Sequence, residues 1–128
     1  NAYERETEEI EAVNADTLAD SIAVDNPSDG LRALRAATQT KGAYIQVTDQ
    51  SILNSIADLG KTGIFAEPAG AAAFSVMQKA RLDGLISQDD PVLVMVTGSG
   101  LKDVGAASSA VKEAPIISPS IEALKEVL

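Results

Sequence analysis

The chain has no cysteine, no histidine and no tryptophan among its 128 residues. Without cysteine or histidine it can form no disulfide, no thiolate nucleophile, no Cys/His zinc site and no histidine acid or base. Any chemistry must therefore come from hydroxyl groups, lysines, carboxylates or a bound cofactor.

Aromatic residues are also scarce, at 3% of the chain, although hydrophobic residues make up 45%. A chain of this length and hydrophobicity can bury a core and is not expected to be disordered. The core must be built from Ala, Val, Ile and Leu, a mixture typical of helices packed on a buried sheet.

The net charge of -9 excludes some partners. An acidic chain repels nucleic-acid phosphates, and its ten lysines and arginines are scattered rather than clustered. No apolar run is long enough to cross a membrane, and no signal peptide is visible. We therefore expect a cytoplasmic protein, and the Asn at position 1 fits a processed or excised piece.

Capping residues and apolar spacing predict five helices. They run from Asn26-Pro27 to about Thr40, from Thr48 to Gly60, from Glu67-Pro68 to about Leu82, weakly from Val104 to Lys112, and from Ser120 to Leu128. Residues 1–16 are polar and acidic, and we interpret them as a tail or linker.

Two short apolar runs, at residues 43–47 and 92–96, are predicted strands. Their alternation with helices predicts an α/β fold, as a partial three-layer helix–sheet–helix unit with a mostly parallel sheet. Two strands of about five residues make a poor sheet by themselves, so the sheet is expected to be incomplete in this chain.

The strongest candidate for chemistry is the turn Thr-Gly-Ser-Gly at residues 97–100, directly after the second predicted strand. Ligands of open α/β sheets bind beyond the carboxyl ends of the strands, and glycines there allow close approach. Thr97 could offer a hydroxyl to a ring nitrogen without bringing charge. The alternative is an ordinary glycine turn, because short glycine motifs are weak signals.

Two further stretches allow a functional and a structural interpretation. Glu67 precedes a helix that starts almost without side chains, so it is either a favourable charge at the helix start or a residue near a ligand. The loop containing Asp20 and Ser21 leads into the first predicted helix, and both residues could be simple turn residues.

In order and spacing, these stretches resemble the threonine synthase family of type II pyridoxal-phosphate enzymes. The matching blocks are Thr-Leu-Ala-Asp-Ser-Ile-Ala at 17–23, Asn-Pro at 26–27, Gly-Ile-Phe-Ala-Glu-Pro-Ala-Gly-Ala-Ala at 63–72 and Thr-Gly-Ser-Gly-Leu-Lys-Asp at 97–103. The resemblance covers residues 17–128, which would form the C-terminal part of the large cofactor-binding domain.

The family converts O-phosphohomoserine and water to threonine and phosphate with pyridoxal phosphate. The resemblance implies that Thr97 lies at the pyridine nitrogen, with Gly98 beside it. It implies that Ser21, Ile22 and Ala23 lie against the cofactor ring, and that Glu67 lies near the cofactor or behind it.

The resemblance also implies what this chain does not carry. In the family the Schiff-base lysine, the phosphate-binding loop and most substrate-binding groups belong to the N-terminal half. We therefore expect that half as a partner, a homodimer as the assembly, and no activity from this chain alone. Two alternatives remain open: a serine/threonine dehydratase-like enzyme of the same fold, and a stand-alone ligand-binding or interaction domain.

Overall fold

The computed structural model describes residues 1–127 and is mainly helical. Its elements are a first 3-10 turn (Asp20–Ile22), α1 (Gly30–Gln39), α2 (Asp49–Lys61), α3 (Pro68–Leu82), a second 3-10 turn (Gly100–Lys102), α4 (Val104–Ser109) and α5 (Ile121–Lys125). Each of the five predicted helices corresponds to one of the α-helices α1 to α5. Leu128, which was predicted to end the last helix, lies outside the described residues.

Local signals account for most helix boundaries. The Thr48 side chain accepts a hydrogen bond from the Ser51 amide and caps α2. Pro68 lies in the first turn of α3, where a missing N–H costs nothing. Gly63 and Gly84 follow α2 and α3 with φ of 85° and 71°, a conformation that favours glycine.

Three helices are shorter than the sequence predicts. One is α5, which ends at Lys125 with Glu126 as its C-cap, before the predicted end at Leu128. The prediction that α1 begins at Pro27 is wrong, because the Gly30 amide donates to the Pro27 carbonyl in a turn before the helix. The prediction that α4 reaches Lys112 is also wrong, since this helix ends at Ser109. Beyond Ser109, Val111 is 59% exposed, so no buried contact at that position stabilises a further turn of helix.

The predicted sheet is not formed within the described residues. Their only β pairing is one antiparallel bridge between Ala66 and Ser99. The two predicted strands, at 43–47 and 92–96, make no backbone hydrogen bonds with each other or with other described residues. A strand needs a neighbouring strand, and residues 92–96 leave Leu93 and Met95 exposed.

The core lies between α2 and α3. Ile52, Ile56 and Leu59 of α2 pack against the small residues Ala71 and Ala72 at the start of α3. Alanines let the two helix backbones approach closely, so this pair forms a compact support. Two buried loop residues join the same cluster, Ala19 and Ala66.

Residues 1–16, here called the N-terminal segment, contact α1 and the loop that follows it. The Tyr3 hydroxyl donates to the Gly42 carbonyl at 3.1 Å, and the ring of Tyr3 meets that of Tyr44 edge to face at 5.3 Å. Arg35 donates two hydrogen bonds of 2.6 Å to the Glu8 carboxylate. These contacts hold much of residues 1–16 against the helix.

No helix in the described part of the chain is long and apolar enough to cross a membrane. Residues 1–127 also contain no group of three or more acidic side chains arranged to hold a metal ion.

Candidate functional site

The segment before α3 and the turn at residues 97–100 lie side by side. The Glu67 amide donates to the Gly98 carbonyl at 3.1 Å, and the Gly100 amide donates to the Phe65 carbonyl at 3.0 Å. These two hydrogen bonds flank the bridge between Ala66 and Ser99. They fix the start of α3 against the glycine turn, although residues 68–96 lie between the two segments in the chain.

The carboxylate of Glu67 is the buried polar group of this region, with only 5% of the residue exposed. Glu67 stands at the N-cap of α3, but its side chain makes no capping hydrogen bond. It instead accepts from the Lys102 ammonium group at 3.3 Å and from the Ser21 hydroxyl at 3.4 Å. A buried carboxylate needs such partners.

The glycines of this region are required by close packing. A Cβ on Gly98 would overlap the Glu67 carboxylate, and a Cβ on Gly100 would overlap the Phe65 ring. A Cβ on Gly70 in α3 would lie 3.3 Å from both the Thr97 amide nitrogen and the Gly98 carbonyl oxygen. The turn after residue 96 therefore packs closely on the start of α3.

Asp49, in the first turn of α2, holds the loop that carries Ser21. Its carboxylate accepts from the Thr17 hydroxyl at 2.5 Å and from the Leu18 amide at 3.1 Å. The next residue, Ala19, is fully buried. The first 3-10 turn is therefore anchored on both α2 and the core, and this directs Ser21 to Glu67.

The structure brings together three of the six predicted site residues, namely Ser21, Glu67 and Gly98. Thr97 is exposed, and its hydroxyl makes no hydrogen bond to any of residues 1–127. Ile22 is 55% exposed and borders an apolar groove toward the N-terminal segment, while Ala23 is half-buried. These last three side chains do not contact the Glu67 carboxylate through hydrogen bonds.

Sequence reasoning missed two parts of this arrangement. It noted Lys102 within its motif but did not pair its ammonium group with Glu67, 35 residues earlier. It also gave no role to Asp49, whose position after a capping threonine looks like an ordinary first-turn carboxylate. No local pattern reveals either contact, because both depend on how distant segments pack.

Comparison with known proteins agrees with the motif blocks. Residues 1–98 match the family described as pyridoxal-phosphate dependent enzyme. The chain is similar to the threonine synthase of Halalkalibacterium halodurans, with 35% identity over 108 residues, which is 84% of this chain and 30% of that protein.

Two further threonine synthases show similar sequence identity and coverage. That of Methanocaldococcus jannaschii is 35% identical over 116 residues, or 90% of this chain and 29% of the relative. That of Mycobacterium tuberculosis is 34% identical over 105 residues, or 81% of this chain and 28% of the relative. The chain thus spans less than a third of the length of these relatives.

The resemblance inferred from the motifs is confirmed, and so is the cofactor class of the family. The chain belongs to the family of pyridoxal-phosphate dependent enzymes and is similar, over most of its length, to threonine synthases.

Proposed function

We propose that this chain is part of a threonine synthase and forms one side of its pyridoxal-phosphate site. The whole enzyme would convert O-phosphohomoserine and water to threonine and phosphate. The observation that carries the proposal is the convergence of separate motif blocks on one carboxylate. Glu67 contacts Ser21 of the first block and both Gly98 and Lys102 of the last.

The exposed residues around this carboxylate suit the ring of the cofactor. The Thr97 hydroxyl has no partner among the described residues, so it is free to hydrogen-bond a ring nitrogen. It would do so without the charge that a carboxylate would bring, which would hold that nitrogen protonated. Gly98 beside it adds no side chain, so the ring can approach the backbone.

The remaining predicted residues would complete the same side of the site. Ser21, Ile22 and Ala23 would lie against the ring, and the apolar surface of Ile22 is exposed for such a contact. Glu67 would support the turn from behind, because its carboxylate is buried under Gly98. Pyridoxal phosphate, when bound, acts as an electron sink for the substrate's carbon atoms.

Covalent attachment of the cofactor would come from a lysine elsewhere in the enzyme. The resemblance to the family assigns that lysine to the N-terminal half. Of this chain's own lysines, Lys102 pairs with Glu67, Lys61 with Asp58 in α2, and Lys79 with Asp83 just after α3. We therefore propose that the chain works with an N-terminal part, has no activity alone, and acts in the cytoplasm as part of a homodimer.

The same proposal explains the exposed apolar run at residues 92–96. In the complete enzyme it would be a strand of a mostly parallel sheet, with neighbours from the N-terminal part. Leu93 is 88% exposed and Met95 68% exposed here, which is unusual for a continuous β-branched and apolar segment. Strand pairing and helices on both faces would cover them.

An assay of the complete enzyme tests the function directly. Purified enzyme with pyridoxal phosphate should release inorganic phosphate from O-phosphohomoserine and form threonine in equal amounts. Formation of 2-oxobutyrate from threonine, without phosphate release, would indicate a dehydratase instead. A compact 128-residue chain that unfolds cooperatively alone and has no effect on a separately purified N-terminal part would favour an independent domain.

A further inference from the structure

The ion pair between Lys102 and Glu67 joins an exposed lysine side chain to a buried carboxylate. The Glu67 side chain is 6% exposed and that of Lys102 is 62% exposed, with 3.3 Å between Nζ and Oε1. An ion pair between exposed side chains contributes little to stability. A buried carboxylate, however, loses much of its solvation, so its charge must be stabilised by the groups that contact it. Lys102 is the cation that pairs with this carboxylate among the described residues.

Lys102 itself stands on a well-defined turn. The Ser99 hydroxyl accepts from the Leu101 amide at 3.3 Å, and the Ser99 carbonyl accepts from the Lys102 amide at 3.1 Å. The 3-10 turn therefore directs the lysine side chain back over the glycines that precede it. The turn thereby holds the Lys102 ammonium group against the Glu67 carboxylate, which in turn contacts Gly98.

The position of that carboxylate matters for both segments proposed to face the cofactor. It fills the space next to the Gly98 Cα, and its second oxygen accepts from the Ser21 hydroxyl. A displaced carboxylate would leave Gly98 without its packing partner and Ser21 without its acceptor. The two segments are far apart in sequence, so this contact is a direct link between them.

We propose that Lys102 is a positioning residue for the cofactor site. Its ammonium group holds the Glu67 carboxylate between Ser21 and Gly98, and so sets the distance between the two segments that flank the cofactor ring. Lys102 acts through Glu67 and does not touch the cofactor. This role rests on the proposed function, since it concerns the same site.

The test measures the affinity of the complete enzyme for pyridoxal phosphate, by titration of the cofactor's absorbance and fluorescence. Lys102→Met and the milder Lys102→Gln should each weaken binding about tenfold, the size expected when a hydrogen bond to a buried charge is lost. Lys102→Arg should bind nearly as the wild type, because it keeps the charge. Lys79→Met, which breaks the surface pair with Asp83, should change nothing.

A second set of variants asks whether Lys102 acts through Glu67. In a Glu67→Gln background, Lys102→Met should weaken cofactor binding by less than about twofold, because the charge that Lys102 holds is already gone. Circular dichroism of each variant establishes that the helices are intact. An equal loss in both backgrounds would overturn the proposed route through Glu67.

The outcomes separate this proposal from the function it rests on. A wild-type enzyme that binds no pyridoxal phosphate overturns the proposed function and the positioning role together. A wild-type enzyme that binds it, with Lys102→Gln and Lys102→Met indistinguishable from wild type, overturns the positioning role alone. If Lys102→Met does not fold, Lys102→Gln decides the question by the same titration.

Discussion

The Glu67 carboxylate occupies the space that a side chain at position 98 would need, because it lies directly against the Cα of Gly98. The same two residues are joined through their backbones, where the Glu67 amide donates to the Gly98 carbonyl at 3.1 Å. The start of α3 and the turn after residue 96 are therefore joined both by side-chain packing and by a backbone hydrogen bond.

Gly98→Ala should disrupt this fit. The new methyl group would overlap the Glu67 carboxylate, and overpacking of this kind lowers the free energy of unfolding by about 1–3 kcal/mol. Urea denaturation measures the loss. The control is Gly105→Ala in α4, where a Cβ would meet nothing closer than 3.5 Å, so stability should be unchanged or slightly higher.

The cause of the loss can be isolated with a double variant. Shortening Glu67 to Ala removes the atoms that the new methyl group would meet. The combined loss in Gly98→Ala/Glu67→Ala should then be smaller than the sum of the two single losses. Strict additivity would show that the Glu67 carboxylate is not what excludes a side chain at position 98.

Replacement of Thr97 tests the hydroxyl proposed to meet the cofactor's ring nitrogen. Thr97→Val keeps the shape but removes the hydroxyl, and cofactor binding by the complete enzyme should weaken about two- to tenfold, the worth of one ordinary hydrogen bond. Thr97→Ser keeps the hydroxyl and should bind close to the wild-type level. Stability should not change, since the hydroxyl makes no hydrogen bond within the described residues. Equal binding by Thr97→Val and Thr97→Ser would rule out this contact.

Much of the helical structure could be predicted from the sequence because its signals are local. Thr48 before α2, Pro68 at the start of α3 and Gly84 after it all act within one turn of the chain. Where a capping signal lay in an ordinary turn, as at Pro27, the prediction was wrong by one turn.

The sheet and the site depend on distant contacts, which the sequence does not specify locally. Residues 92–96 have the composition of a buried strand, yet they find no pairing partner in the described part of this chain. The resemblance implied that Ser21, Glu67 and Gly98 lie close together, and the structure brings these three residues into contact. The pairing of Glu67 with Lys102 could not be predicted, because it depends on the packing of α3 against the turn.

Asp49 should control the mobility of the loop that carries Ser21. Asp49→Ala removes the acceptor for the Thr17 hydroxyl and the Leu18 amide, so residues 17–23 should exchange amide hydrogens faster. The neighbouring Gln50→Ala is the control, since that side chain hydrogen-bonds to Asn54 on the same helix and to no residue of the loop at 17–23. Hydrogen exchange by mass spectrometry compares the two. Unchanged exchange at residues 17–23 in Asp49→Ala would mean that the burial of Ala19 and the contact of Ser21 with Glu67 hold the loop without Asp49.

The contact between Glu8 and Arg35 should depend on pH. The hydrogen bonds from the Arg35 guanidinium hold the pKa of Glu8 below its ordinary value of 4.5. Because folding lowers this pKa, the stabilising effect is complete above the ordinary value and is lost as the pH falls through the folded-state pKa. The N-terminal segment should therefore loosen from α1 in acid below about pH 4.5.

Carboxyl-carbon NMR titration of Glu8 checks this direction. In Arg35→Ala the pKa of Glu8 should rise toward its ordinary value. Arg32→Ala provides a matched control on the same helix, because Arg32 faces Asp29 at 3.7 Å rather than Glu8. A Glu8 titration that is the same in wild type and Arg35→Ala would show that the pair does not form in solution.

The backbone of residues 92–96 should behave differently in this chain and in the complete enzyme. In the 128-residue chain these amides have no hydrogen-bond acceptor among the described residues and should exchange within seconds to minutes. In the complete enzyme the proposed sheet would bond them on both sides, and exchange should slow by orders of magnitude. The amides of α2 provide the internal standard, because their hydrogen bonds lie within the helix in either case. Fast exchange at residues 92–96 in the complete enzyme would exclude this segment from a sheet, and with it the three-layer architecture proposed for this part of the fold.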